Sequence, residues 1–252
     1  MLAVAANSFR ESVRERVLYN LVFFAILMTL SGSLMSRLSV RQDDKIIKDL
    51  GLASVEVFGT LIAMFVGVAL VNKEVEKKSL YPLLAKPLER HEFILGKFLG
   101  LSATLLVNTG VMTVGLLSTL WLTSGVIAWR LSEAIFATYL GMLVVVALAL
   151  LFSTVTTSFA FASICTVCVV IAGRFSDVIR NMKEVLVDTP PLLIDLLYYS
   201  LPNFKNFDLK DRIVYGDPVS LGDLSWIVFY AVVYVSLLLA VTIGAFQKKE
   251  FV

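Results

Sequence analysis

Residues 134–173 run for forty consecutive positions without a charged side chain. As a single helix they would extend about 60 Å, twice the hydrocarbon thickness of a bilayer. The run must therefore fold back. Ser153, Thr154, Thr156, Thr157 and Ser158 mark the place, because hydroxyl side chains bond to nearby backbone and favour a reversal. The other uncharged runs approach or exceed the ~18–20 residues that cross a membrane. With 58% hydrophobic and 17% charged residues, against roughly 25% charged in soluble chains, this is a polytopic membrane protein. Its expected class is all-α, with six spans at 17–36, 55–72, 98–124, 134–152, 157–173 and 225–246. Six spans use about 120 positions, so residues 1–252 read as one transmembrane domain with no room for a soluble catalytic unit. The net charge of +2 comes with no basic tract apart from the span flanks, so no nucleic-acid partner is expected.

Lysine and arginine divide eleven to eleven between the two sides that six spans define. Arg14, Arg16, Lys73, Lys97, Lys248 and Lys249 lie close to span ends, where the positive-inside bias is strongest, and they place both termini in the cytoplasm. The charges near the amino terminus follow the first apolar residues, unlike the order in a cleavable signal. Leu2, Ala6, Phe9, Val13 and Val17 repeat at helical spacing opposite Arg10, Glu11, Arg14 and Glu15. That pattern predicts an amphipathic helix over 1–16 lying in the membrane surface.

Two connections carry further information. The cytoplasmic loop 73–97 opens with Lys73, Glu74, Glu76, Lys77 and Lys78. Leu80, Leu83 and Leu84 then form a short apolar stripe on a helix ending near Pro87, and Glu89, Arg90, His91 and Glu92 begin the next helix. An apolar stripe between charged clusters suits a helix that docks in a partner's groove; a membrane-surface helix without a partner has the same pattern. The outer loop 174–224 is too long for a simple connection. Phe175, Val178, Ile179, Met182, Val185 and Leu186 share a helical face that Ser176 or Asp177 can cap, and Thr189-Pro190-Pro191 ends it. A second apolar piece, 192–201, is too short to span, so short outer helices are expected before the last span. Residues 203–222 are polar and turn-rich. The loop offers a surface for an extracytoplasmic partner.

The chemistry of coupled transport is missing from the expected span interiors, which hold no Asp, Glu, Lys, Arg or His. Glu56 and Glu133 fall at outer span ends and Glu74 at an inner one. Proton and ion carriers place such groups within the membrane, so an ion-coupled carrier is disfavoured. Histidine occurs once, His91, and no metal set, catalytic triad or P-loop is present. Cys165 and Cys168 sit in an uncharged run without a histidine or acid nearby and read as packing residues. Met28, Met35, Met64, Met112, Met142 and Met182 are scattered and read the same way. The chain is not expected to be an enzyme, with no catalytic and no metal-binding residues. Gly59, Ala63 and Gly67, with Gly96 and Gly100, are spaced for close helix packing or dimerisation.

The loop itself resembles that of type-2 ABC exporter permeases, in the branch associated with multicopper-enzyme maturation. The matching positions are Glu74 or Glu76, Ser79, Leu83 and Leu84, Pro87, Arg90 and the Gly96-Lys97 pair. Lys78 and Ser79 stand where Arg and Thr are frequent in the family. The resemblance implies a multi-pass permease subunit of the cell (inner) membrane, with no cofactor of its own. ATP and magnesium would be held by a separate ABC ATPase subunit. It also implies pairing with a second copy or a paralogue to form the pathway, and outward transport. Coupling to the ATPase would run through Glu74, Lys77, Lys78, Leu80, Leu83, Leu84, Pro87, Glu89 and Arg90. A different class remains open on the same residues, a membrane anchor or assembly scaffold that transports nothing. The uncharged walls suit an amphiphile such as a lipid.

Overall fold

The computed structural model describes residues 1–14, 23, 43–76, 90–125, 128–156, 158–176, 178, 180 and 198–248. Among these the chain is helical throughout, with no strand. In order, α1 is Leu2–Arg14, α2 Asp43–Glu76, α3 Arg90–Ser124, α4 Leu131–Val155 and α5 Phe159–Arg174. A 3₁₀ turn, Phe204–Phe207, precedes α6 (Lys210–Tyr215) and α7 (Leu221–Lys248).

Four stretches among the described residues are long and apolar enough to cross a membrane: Lys45–Leu70, His91–Thr123, Leu131–Val155 and Leu221–Gln247. The expected fifth span is a helix of 16 residues, about 24 Å at 1.5 Å per residue and shorter than a ~30 Å hydrocarbon core. The expected first span, 17–36, lies outside the described residues except for Phe23. Its ring meets Phe58 of α2 edge-on at 5.4 Å.

α4 sits at the centre and packs against α2, α3, α5 and α7. Its apolar residues surround the axis rather than forming a stripe, which is the signature of a helix buried on all sides. Close approach to α2 depends on missing side chains. A Cβ at Gly59 would run into the Met142 side chain, and one at Gly67 would lie 2.8 Å from the Ala149 Cβ. Ala63, between them, is buried. The small-residue stripe on α2 is thus filled by α4 of the same chain.

α2 begins at Asp43, twelve residues before the expected start of its span at 55. Ile47, Gly51 and Val55 continue the buried face by single helical turns, and Leu116 of α3 occupies the space that a side chain at Gly51 would need. The buried face therefore continues outward past the strictly apolar run. Within the hydroxyl cluster α4 ends at Val155 and α5 starts at Phe159, and the two helices pack against each other. The Thr156 N–H donates to the Phe152 carbonyl and Ser158 caps α5.

Candidate functional site

The two ends of the bundle are built from different chemistry. At one end α3 starts, and α1 lies across it. A Cβ at Gly96 would lie 2.8 Å from the Val4 Cβ, and one at Gly100 would lie 2.6 Å from the Ala5 carbonyl oxygen. Only glycine lets the two backbones come this close. Ser8 and Ser12 are fully buried, while Ala6 is exposed. The face of α1 turned to the protein therefore includes Val4, Ala5, Ser8 and Ser12, while Ala6 of the expected apolar stripe faces away from it. That small-residue face could have been read from its own 3- and 4-residue spacing.

The amino-terminal ammonium lies 3.9 Å from the Glu92 carboxylate in the first turn of α3. Helix starts favour acidic side chains, since their unpaired N–H groups leave partial positive charge there. Just beyond, Lys97 is only 1% exposed, with its ammonium 5.7 Å from the centre of the Phe93 ring. The same ring has a second partner: Phe246, near the end of α7, stacks with Phe93 at 5.7 Å and 12°. The amino-terminal helix, the start of α3 and the end of α7 thus meet at one end of the molecule.

Glu74 falls in the last turn of α2 and Arg90 opens α3. Lys77, Lys78, Leu80, Leu83, Leu84, Pro87 and Glu89 lie outside the described residues. The loop that carries them joins helices of 34 and 35 residues, both in contact with α4. His91 is exposed in the first turn of α3.

The opposite end is held by ions and aromatic rings. The tail expected to be merely polar buries Phe204 and Phe207. A Cβ at Gly173 of α5 would strike the Pro202 carbonyl and crowd the Phe204 ring, and one at Gly141 of α4 would touch Phe207. The turn is thereby wedged between α4 and α5. The Asn203 N–H donates to the Tyr230 hydroxyl at 2.9 Å, and the Tyr234 hydroxyl donates to the Ser200 carbonyl at 2.7 Å. The alternation of Phe204 and Phe207 with charged neighbours was the available signal for this wedge.

Ion pairs complete this end. Lys210 of α6 lies 3.4 Å from Asp49 of α2, Arg212 lies 3.0 Å from Asp223 of α7, and Lys45 sits over the Tyr215 ring at 5.7 Å. Burial works to lower the Lys210 pKa, but the carboxylates of Asp49, Asp208 and Asp211 outweigh it and hold it above the ordinary lysine value. Arg174, the last residue of α5, donates to the Glu56 carboxylate. Because α2 starts early, Glu56 lies eleven positions inside the Lys45–Leu70 stretch, about 16 Å from its beginning. An opposite charge on the neighbouring helix makes that position tolerable.

Beside this pair lies a half-open cavity of about 380 Å³. Among the described residues, Glu56, Arg174, Lys205 and Asp208 give it two charges of each sign, and Phe175, Val178 and Phe204 give it an apolar side. A void of about 20 Å³ shares Glu56, Arg174 and Phe204 and reaches Thr60, Thr138 and Met142. It is large enough for a single water. Cys165 and Cys168 are free thiols on α5. No three metal-ligating side chains gather among the described residues.

A family model described as ABC-2 family transporter protein matches residues 2–176, more than two thirds of the chain. No curated protein matches.

Proposed function

Because the chain belongs to the ABC-2 family of transporter proteins, a membrane transport component that is not itself catalytic, we propose that it is the permease subunit of an ATP-driven exporter. In this reading it spans the inner membrane six times with both termini in the cytoplasm. It pairs with a second copy or a paralogue, and a separate ABC ATPase holding ATP and magnesium docks on the loop 73–97.

The observation that carries the reading is where that loop is hung. It connects the end of α2 to the start of α3, the two longest helices among those described, and both lean on the central α4. A force delivered to the end of α2 and the start of α3 reaches the middle of the bundle along two helices that both pack on α4. The packing of α1 and Phe246 on the start of α3 adds two further elements that such a force must move. Leu80, Leu83 and Leu84 supply the apolar contact with the ATPase, and Glu74, Lys77, Lys78, Glu89 and Arg90 set the register around it, with Pro87 ending the docking helix.

The test replaces Leu83 and Leu84 together by Glu. Two buried leucines contribute about 1.5–3 kcal/mol each at an apolar contact, so co-purification of the ATPase is expected to fall more than tenfold. ATP turnover of the assembled transporter falls with it, while the amount of folded membrane protein is unchanged. Wild-type recovery of the ATPase together with wild-type turnover would overturn the coupling role.

A further inference from the structure

We infer that the half-open cavity between α2, α5 and the Phe204–Phe207 turn is a binding site for a zwitterionic amphiphile, with the headgroup among its four charges and the tail along α5. Its volume of about 380 Å³ lies within the range of roughly 300–1,000 Å³ found for small-molecule sites. The inference concerns binding, and it stands whether or not the bound molecule is transported.

Charge selects the headgroup. Among the described lining residues Arg174 and Lys205 are matched by Glu56 and Asp208, so a ligand of either single sign is repelled by half of these charges. An uncharged headgroup would displace water from charged groups and offer no charge in exchange, which is costly. A headgroup carrying both signs meets complementary partners. The Arg174 guanidinium has five N–H donors in a fixed fork. Its contact with Glu56 runs through one terminal nitrogen, so the fork can accept an anionic group alongside. Asp208 is exposed at the rim, where an ammonium can approach it.

Length and exposure select the tail. Phe175 and Val178 on the apolar side of the cavity extend a line of exposed residues, Phe161, Ile164, Cys168 and Ile171, spaced alternately three and four apart on α5. That line is a continuous apolar track leading from the cavity. α5 measures about 24 Å, short of a ~30 Å hydrocarbon core. A helix of that length does not carry its last residues past the hydrocarbon core into water, so a lipid lying along α5 can bring its headgroup to the charges of the cavity.

The test uses the full chain in an uncharged maltoside detergent. Radiolabelled phosphatidylcholine is bound and competed with unlabelled phosphatidylcholine, phosphatidylglycerol, diacylglycerol and water-soluble glycerophosphocholine. Phosphatidylcholine is expected to compete at least about tenfold better than the other three. The combined substitution of Lys205→Ala and Asp208→Ala, both at exposed positions, should remove that preference without changing the elution profile of the protein. Val178→Asn, also exposed, should weaken phosphatidylcholine and leave glycerophosphocholine unaffected. Stronger competition by phosphatidylglycerol overturns the headgroup assignment, and equal competition by glycerophosphocholine overturns the tail. A preference that survives the Lys205/Asp208 pair moves the site elsewhere.

Discussion

The end of the bundle that carries α1 and the end that carries α6 use opposite means to hold helices together. At the first, glycines bring two backbones into contact, and a lysine is shut away beneath an aromatic stack. At the second, partly exposed ion pairs and a wedge of two phenylalanines join elements distant in sequence. Close packing is lost all at once, since a packed interface has no intermediate separation at which contacts are half kept. Exposed ion pairs are worth little individually and water replaces them readily. The first end is built to move as one body and the second to come apart piecemeal. For the drive proposed above, entering through the loop between α2 and α3, that is a stiff input and a compliant far end.

The largest expected effect breaks the stiff end. Gly100→Val places a side chain where the Ala5 carbonyl and the Ser8 Cβ already sit, and backbone on one side leaves nothing to rotate away. Overpacking of this kind costs about 1–3 kcal/mol. Because α1 packs mainly on α3, the loss should appear as faster hydrogen exchange over Leu2–Arg14 with the exchange of α4 unchanged. Protection of α1 equal to wild type would mean that α1 is held by the membrane surface and not by α3.

A smaller effect tests the compliant end. Glu56 and Arg174 retain 22% and 39% of their side-chain exposure, so their mutual attraction is screened, and a double-mutant cycle of Glu56→Gln with Arg174→Gln should give a coupling of about 0–1 kcal/mol that shrinks in high salt. A coupling of several kcal/mol, insensitive to salt, would place the pair in a dry interior and erase the contrast between the two ends.

The sequence exposed the long elements because their signal is composition, which needs no partner to be read. The forty uncharged residues demanded a reversal, and the hydroxyl cluster is where the chain turns. Gly59, Ala63 and Gly67 stood out by spacing, but a stripe of small residues does not name the helix that fills it; Met142 and Ala149 of α4 do. The early start of α2 was hidden because Asp43, Lys45, Lys48 and Asp49 read as loop while Ile47 and Gly51 quietly kept the buried face going. The partner of Glu56, Arg174, is 118 positions away. Such a pairing is set by tertiary packing, and no local pattern reports it. The cavity was likewise invisible, since its lining comes from three separated segments.

The smallest expected effect concerns pH at the junction of α6 with α2. Lys210 gains more from the carboxylates of Asp49, Asp208 and Asp211 than it loses by burial, so its proton is held more tightly in the folded protein than the ordinary value of 10.5 would allow. A group whose pKa is raised on folding contributes its full stabilisation below the unfolded value and loses it only as pH climbs through the folded one. The difference in melting temperature between wild type and Lys210→Met should therefore stay constant from about pH 8 to about pH 10 and close above that, where the lysine gives up its proton. The contact is partly exposed, so the difference will be slight and should shrink with added salt. If the two curves merge already between about pH 8 and pH 10, burial dominates at Lys210. The far end would then resemble the α1 end, where a lysine is enclosed by packing.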